Sequence, residues 1–217
     1  MSLLFQLALA HLFAFAPVAG VSSCLTTNGR SACGYSCVAA HGQVACARTP
    51  SGICKATSDN VEAPGVVCWD PPDWVRAHYA DNVPRADCIT RNGSVVCGYA
   101  CTGLGDEMAC AQSPDGICRA SSKRGVVCWD PSPSTYCADN KPLPRPQCIM
   151  SDGEIACGYG CEARGGNMAC AATPGGKCNI FPSEIICTDP EAPLSCGGRP
   201  CVPDSPASPR GWCRPHK

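Results

Sequence analysis

The sequence predicts a small disulfide-rich, mostly β fold: three tandem six-cysteine repeats of short β-hairpins, joined by Pro-rich connectors. Three observations predict it. The 217-residue chain carries 22 cysteines, about one residue in ten, which is the density of a disulfide scaffold. Eighteen of those cysteines recur in register, six to a copy. Turn-forming pairs sit midway between the cysteines.

The chain lacks the residues for an ordinary hydrophobic core. Three of its four Phe (Phe5, Phe13, Phe15) lie in the first fifteen residues, leaving Phe181. After residue 24, Leu occurs only at Leu25, Leu104, Leu143 and Leu194. Ordering a residue costs about 1–2 kcal/mol of backbone entropy, and so little apolar area does not offset it. Cross-links have to supply the difference.

Residues 1–20 read as a signal peptide. Leu3 to Ala16 is apolar apart from Gln6 and His11, and Pro17 ends the run before the small residues Val18-Ala19-Gly20. Such a run is too short to span a bilayer and suits an export signal, although Met1-Ser2 lacks the usual basic residue. Val21-Ser22-Ser23-Cys24 also resembles a bacterial lipobox, which would make Cys24 a lipid anchor. Against that, Cys24 matches Cys88 and Cys148 as the first cysteine of a copy.

The repeats occupy 21–70, 88–130 and 148–190, with connectors at 71–87 and 131–147 and a Cys/Pro-rich tail at 191–217. Their cysteines are Cys24, Cys33, Cys37, Cys46, Cys54, Cys68; Cys88, Cys97, Cys101, Cys110, Cys118, Cys128; and Cys148, Cys157, Cys161, Cys170, Cys178, Cys187. The first four intervals are 9, 4, 9 and 8 residues in every copy. Self-similarity of this kind marks a repeat architecture.

The spacing is mechanical. Asn28-Gly29, Asn92-Gly93 and Asp152-Gly153 centre the first interval and favour a type I′ two-residue hairpin loop. His41-Gly42, Gly105-Asp106 and Gly165-Gly166 centre the third. Counting outward from Asn92-Gly93 sets Cys88 opposite Cys97 on a non-hydrogen-bonded pair, where side chains approach most closely. The last interval suits a loop about Pro182-Ser183 in the third copy and a three-residue loop with Gly125 in the second. In the first it holds a longer polar loop from Ser58 to Pro64.

Six cysteines allow 15 pairings. Hairpin geometry favours first-to-second, third-to-fourth and fifth-to-sixth, with bridges between adjacent hairpins as the rival. Closing a ten-residue loop contributes about 2.7 kcal/mol in the chain-entropy model. The connectors, rich in proline, are expected to be extended and semi-rigid, holding the repeats apart as beads. In the second connector and the tail, Cys137, Cys196, Cys201 and Cys213 complete the cysteine count, and a bridge from Cys137 to the tail is expected.

Function classes narrow by chemistry. With 17 basic and 18 acidic residues, the chain has no electrostatic footprint for nucleic acid. The histidines His11, His41, His78 and His216 have no spaced catalytic partner, so no catalytic residue and no cofactor is expected. Asp70, Asp130 and Asp189 each precede a proline and read as Asx-type turns. The cysteines avoid Cys-x-x-Cys spacing, and export favours disulfides over a thiolate metal site; no metal is expected. Trp69 and Trp129 are the candidate binding residues, able to stack on sugar or anchor a protein. The preferred reading is plainer: each caps a disulfide and supplies what little core the repeat has. Asn92-Gly93-Ser94 is a glycosylation sequon in one copy only.

The strings Cys-Gly-Tyr-x-Cys (from Cys33), Cys-Ala-x-Thr-Pro-x-Gly-x-Cys (from Cys46) and Val-Val-Cys-Trp-Asp-Pro (from Val66) resemble cysteine-rich tandem repeats of secreted bacterial proteins of unestablished function. The likeness covers Cys24 to about Pro190 and departs at Thr188. It implies export and brings no activity. The expected function is a non-catalytic secreted or cell-surface structural and binding module, its partner an unidentified extracellular protein or carbohydrate. The alternatives are an inhibitor or toxin-like effector acting through the Ser58–Pro64 loop, and a metal-binding protein.

Overall fold

The computed structural model describes residues 21–59, 64–132 and 144–189. The signal segment, Cys137 and the tail with Cys196, Cys201, Trp212 and Cys213 lie outside the described residues. The fold is mostly β. The first repeat comprises β1 (Ser23–Thr27), β2 (Arg30–Ala40), β3 (Gln43–Ala47), β4 (Ile53–Ala56) and β5 (Val66–Trp69). The second comprises β6 (Asp87–Arg91), β7 (Ser94–Leu104), β8 (Glu107–Ala111), β9 (Ile117–Ser121) and β10 (Gly125–Trp129). The third comprises β11 (Gln147–Ser151), β12 (Glu154–Arg164), β13 (Asn167–Ala171), β14 (Lys177–Ile180) and β15 (Ile185–Thr188). Each repeat is a three-stranded antiparallel meander followed by a two-stranded hairpin.

Turn chemistry sets the register. Asn28 and Gly29 have φ of 47° and 75°, and Asn92 and Gly93 have 48° and 81°, the left-handed pair that a type I′ loop requires. Cys24 consequently faces Cys33, Cys88 faces Cys97 and Cys148 faces Cys157. Disulfides join those pairs, together with Cys37–Cys46, Cys101–Cys110, Cys161–Cys170, Cys54–Cys68, Cys118–Cys128 and Cys178–Cys187. Cα atoms of bonded cysteines lie 3.9 to 4.1 Å apart, as expected where opposed side chains approach most closely. The sulfur of Cys24 is bonded to Cys33, which leaves no thiol there for a lipid.

The first two hairpins of each repeat share one long strand, and that strand folds back on itself. In β2, Tyr35 pairs with Ala47 and Val38 with Ala45, so Ser36 and Cys37 together oppose Cys46 as a β-bulge. Ser36 takes φ 47°, and its counterparts Ala100 and Gly160 take 44° and 50°. The Cys-Gly-Tyr string serves this fold-back: a Cβ on Gly34 would lie 2.4 Å from the Ala47 carbonyl oxygen. Unbent, eleven residues would separate the two tips of β7 by roughly 33 Å. Instead Asn92 Nδ2 donates to Asp106 Oδ1 at 2.5 Å. The tips stand side by side.

The aspartates that end each repeat form a long-range clasp, and the Asx-turn expectation is corrected. Asp130 Oδ1 accepts the Gln112 and Ser113 amides at 3.0 and 2.8 Å and the Ser113 hydroxyl at 2.8 Å. Asp70 holds Arg48 and Thr49 in the same way, and Asp189 holds Thr173. A Cβ on Gly116 would meet Asp130 Oδ1 at 2.3 Å and the Ala111 Cβ at 2.5 Å. The recurrent Ala-x-Thr/Ser-Pro-x-Gly string is therefore the receptor for the aspartate.

The first connector is not extended. It forms α1 (Asp73–Tyr79), followed by a short 3-10 turn at Ala80–Asn82. Proline at the threshold of a helix costs nothing, because the first turn leaves its amides unpaired. Here Pro71 and Pro72 lead into α1, Asp73 pairs with Arg76 one turn on, and Val75 is fully buried. Most of the second connector lies outside the described residues.

The repeats do not hang apart as beads; they stack. Trp69 of the first repeat meets Tyr99 of the second edge-on, with ring centroids 5.4 Å apart, and Trp129 meets Tyr159 of the third at 5.3 Å. Ile53 and Trp69 pack on a buried cluster of Ala86, Tyr99, Ala111 and Cys118. What core the protein has is thus shared between neighbouring repeats.

Candidate functional site

Because the long strand of each repeat doubles back, all three hairpin turns of a repeat point the same way. In the first repeat, His41 Nε2 meets the Thr57 carbonyl at 2.9 Å and Nδ1 meets Asp59 at 2.6 Å, tying the second tip to the third. In the second, Glu107 Oε2 accepts the Val126 amide at 3.0 Å. In the third, an Arg164 Nη atom donates to the Phe181 carbonyl at 3.4 Å.

Contacts between repeats continue the row. Ser58 N donates to the Gly93 carbonyl at 3.3 Å, and Ser121 Oγ to the Gly153 carbonyl at 2.6 Å. Lys123 and Arg124 pair with Glu154 at 2.8 and 3.2 Å. The Lys123 hydrogen bond, chiefly, holds the Glu154 carboxyl below its usual range. Among the described residues the turns therefore line one edge of the stack, and the clasps lie at the other end of the strands.

This edge changes character along its length while its backbone does not. The first repeat presents Asn28, His41 and Asp59, and the second Asn92, Asp106, Lys123 and Arg124. The third presents Phe181, 45% exposed, with Ile180, 41% exposed. An open groove of about 590 Å³ runs beside Asp106, Glu107, Met108 and Arg124. A smaller hollow of about 170 Å³ lies between Arg164 and Phe181, below the ~300 Å³ of an ordinary small-molecule pocket. Shallow, mixed surfaces of this kind suit a polymer or another protein.

Trp69 and Trp129, the candidate binding residues, are half-buried and committed to the tyrosine of the next repeat. Their rings cap the inter-repeat contact. Burial pushes the phenols of Tyr99 and Tyr159 up to about 12. Tyr99 donates to the Pro84 carbonyl at 3.0 Å, anchoring the connector as well.

One cluster brings a phenol, a carboxylate and an imidazole together. Tyr79, at the end of α1, donates its hydroxyl to Asp115, and the His78 and Tyr79 rings meet edge-on at 4.7 Å. Burial first, and then the Asp115 carboxylate, raise the Tyr79 phenol well above its usual value. Burial lowers His78 more than Asp115 raises it. A phenol so hard to ionise is a poor general base near neutrality. The group acts as a latch of α1 onto the second repeat.

Among the described residues, no group of three or more His, Cys, Asp or Glu side chains gathers as metal ligands, and no helix is long and apolar enough to cross a membrane. The turn edge escapes sequence reasoning because it depends on the fold-back at Gly34–Ser36. The only signal for it is the recurrence of Cys-Gly-Tyr-x-Cys with a left-handed position at its fourth residue. Comparisons with family models, curated proteins and solved structures return no match.

Proposed function

We propose that this chain is an exported, non-catalytic structural and binding module that meets an extracellular protein or carbohydrate along its row of turns. The observation that carries the reading is a constant frame bearing a variable edge. Cysteines, clasps, fold-backs and the Asn/Asp-Gly first turns repeat, whereas the residues at the second and third turns differ from copy to copy. Several shallow contacts on one rigid body sum by avidity, since each engaged turn raises the effective concentration of the next. Disulfides in this number fit an oxidising compartment, which agrees with the export signal read at residues 1–20.

The test is a screen of the oxidised full-length chain on glycan and extracellular-protein arrays. Each hit is then measured again with Lys123→Ser/Arg124→Ser and with Phe181→Ser. Binding that weakens roughly tenfold for the edge variants supports the reading, as expected for a lost interface anchor. A hit insensitive to both, yet abolished by changes on α1, would sink it.

A further inference from the structure

The contact between repeats is head-to-tail, so a second copy of the chain could in principle extend the stack. An interface of this type, if it does not close on itself, builds open fibres. The faces involved can be read strand by strand. In β4–β5, Ile53 pairs with Trp69 and Lys55 with Val67, which puts these four side chains on one face. That face meets the second repeat through Trp69 on Tyr99 and through Lys55 Nζ on the Cys88 carbonyl at 3.0 Å. In β9–β10 the same positions hold Ile117, Trp129, Arg119 and Val127.

At the end of the third repeat those positions hold Lys177, Thr188, Asn179 and Ile186. Isoleucine and tryptophan have become lysine and threonine, and all four residues are exposed. The opposite end is altered too. Ala86, Cys88, Val95 and Tyr99 are 3%, 4%, 9% and 6% exposed under the first repeat. The first repeat has Ser22 and Ser31 in place of Ala86 and Val95; both serines and Cys24 are exposed, and Tyr35 is half-buried.

We infer that Lys177, Asn179 and Thr188 at one end, with Ser22 and Ser31 at the other, are stop residues that keep the chain a three-repeat unit and refuse a second copy. Stacked repeats need polar outer faces at their ends to stay soluble. Two halves of a working interface exist in this molecule, and each is blunted where, among the described residues, no further repeat sits on it.

Sedimentation velocity of the exported, oxidised full-length chain tests this. One variant carries Lys177→Ile with Thr188→Trp, and the other Ser22→Ala with Ser31→Val. The unaltered chain should stay monomeric across concentration, and an equimolar mixture of the variants should roughly double in mass through one restored contact. A chain with all four changes should form oligomers that lengthen with concentration. An unaltered chain that already joins end to end, or a mixture that stays monomeric with its disulfides intact, overturns the inference. Should the first variant misfold, the reverse change serves. Ile53→Lys with Trp69→Thr should speed amide exchange in β4 and β5 by about tenfold or more without reducing any disulfide, as expected for local opening. Unchanged exchange overturns the inference equally.

Discussion

A single carboxylate on Asp130 accepts two amides and a hydroxyl from a loop far back in the chain, and a buried alanine and a glycine leave it room. Replacing it by Asn trades two acceptor oxygens for one and turns a donor towards other donors. Asp130→Asn should cost about 1–3 kcal/mol, read as a lower melting temperature of the oxidised protein. At Asp189 burial alone would raise the carboxyl, but the hydrogen bonds from Thr173 and Ala172 outweigh it and hold it below the usual carboxylate range. Its folded pKa is therefore below its unfolded one. The clasp's contribution is present above the unfolded value and lost as pH falls through the folded one. Asp189→Asn should flatten that acid limb of the stability curve. Ala100, at φ 44°, stands where the third repeat has glycine. Ala100→Gly should stabilise by about 1 kcal/mol, because the left-handed region penalises a Cβ; a thermal melt reads it. None of the clasps was legible in sequence, since partner and carboxylate lie 16 to 22 residues apart and no local rule links them.

Among the elements, the hairpins were the most legible. Asn-Gly and Asp-Gly turns fix a register, and cysteines placed symmetrically about each turn must then face one another. The connector was misread because proline content was weighed without its position: prolines at a helix threshold start α1, whereas prolines within it would break it. The role of the tryptophans could not be settled from one repeat, because Trp69 finds its partner in the next. Thr188 held the clue, since tryptophan is missing only where no further repeat follows. Trp129→Ala should weaken the contact between second and third repeats by about 2 kcal/mol, less than for a fully buried ring, and hydrogen exchange in β9, β10 and β12 would register it. The tyrosines give a matching alkaline signal. Tyr99 and Tyr159 are raised to about 12, so their contribution is complete below the usual value near 10 and fades as pH climbs towards 12. Ultraviolet titration should show these two phenols ionising late, with inter-repeat contacts loosening over the same range.

For the molecule as a whole, sulfur does what hydrocarbon does elsewhere. Reduction of the oxidised protein should abolish the fold, and chelators should leave it intact; circular dichroism before and after each treatment separates the two. The architecture was legible because eighteen cysteines keep time along the chain, whereas the direct stacking was hidden by connectors that look like spacers. One feature of the cross-links also bears on biogenesis. Among the described residues every disulfide joins cysteines only 9 to 14 apart, so each of these rings can close as soon as its own hairpin has been made. Oxidation can then proceed from the amino terminus onward, each repeat setting into shape before the next arrives. A chain wired this way has little occasion to exchange partners between copies, and it should mature quickly without an isomerase.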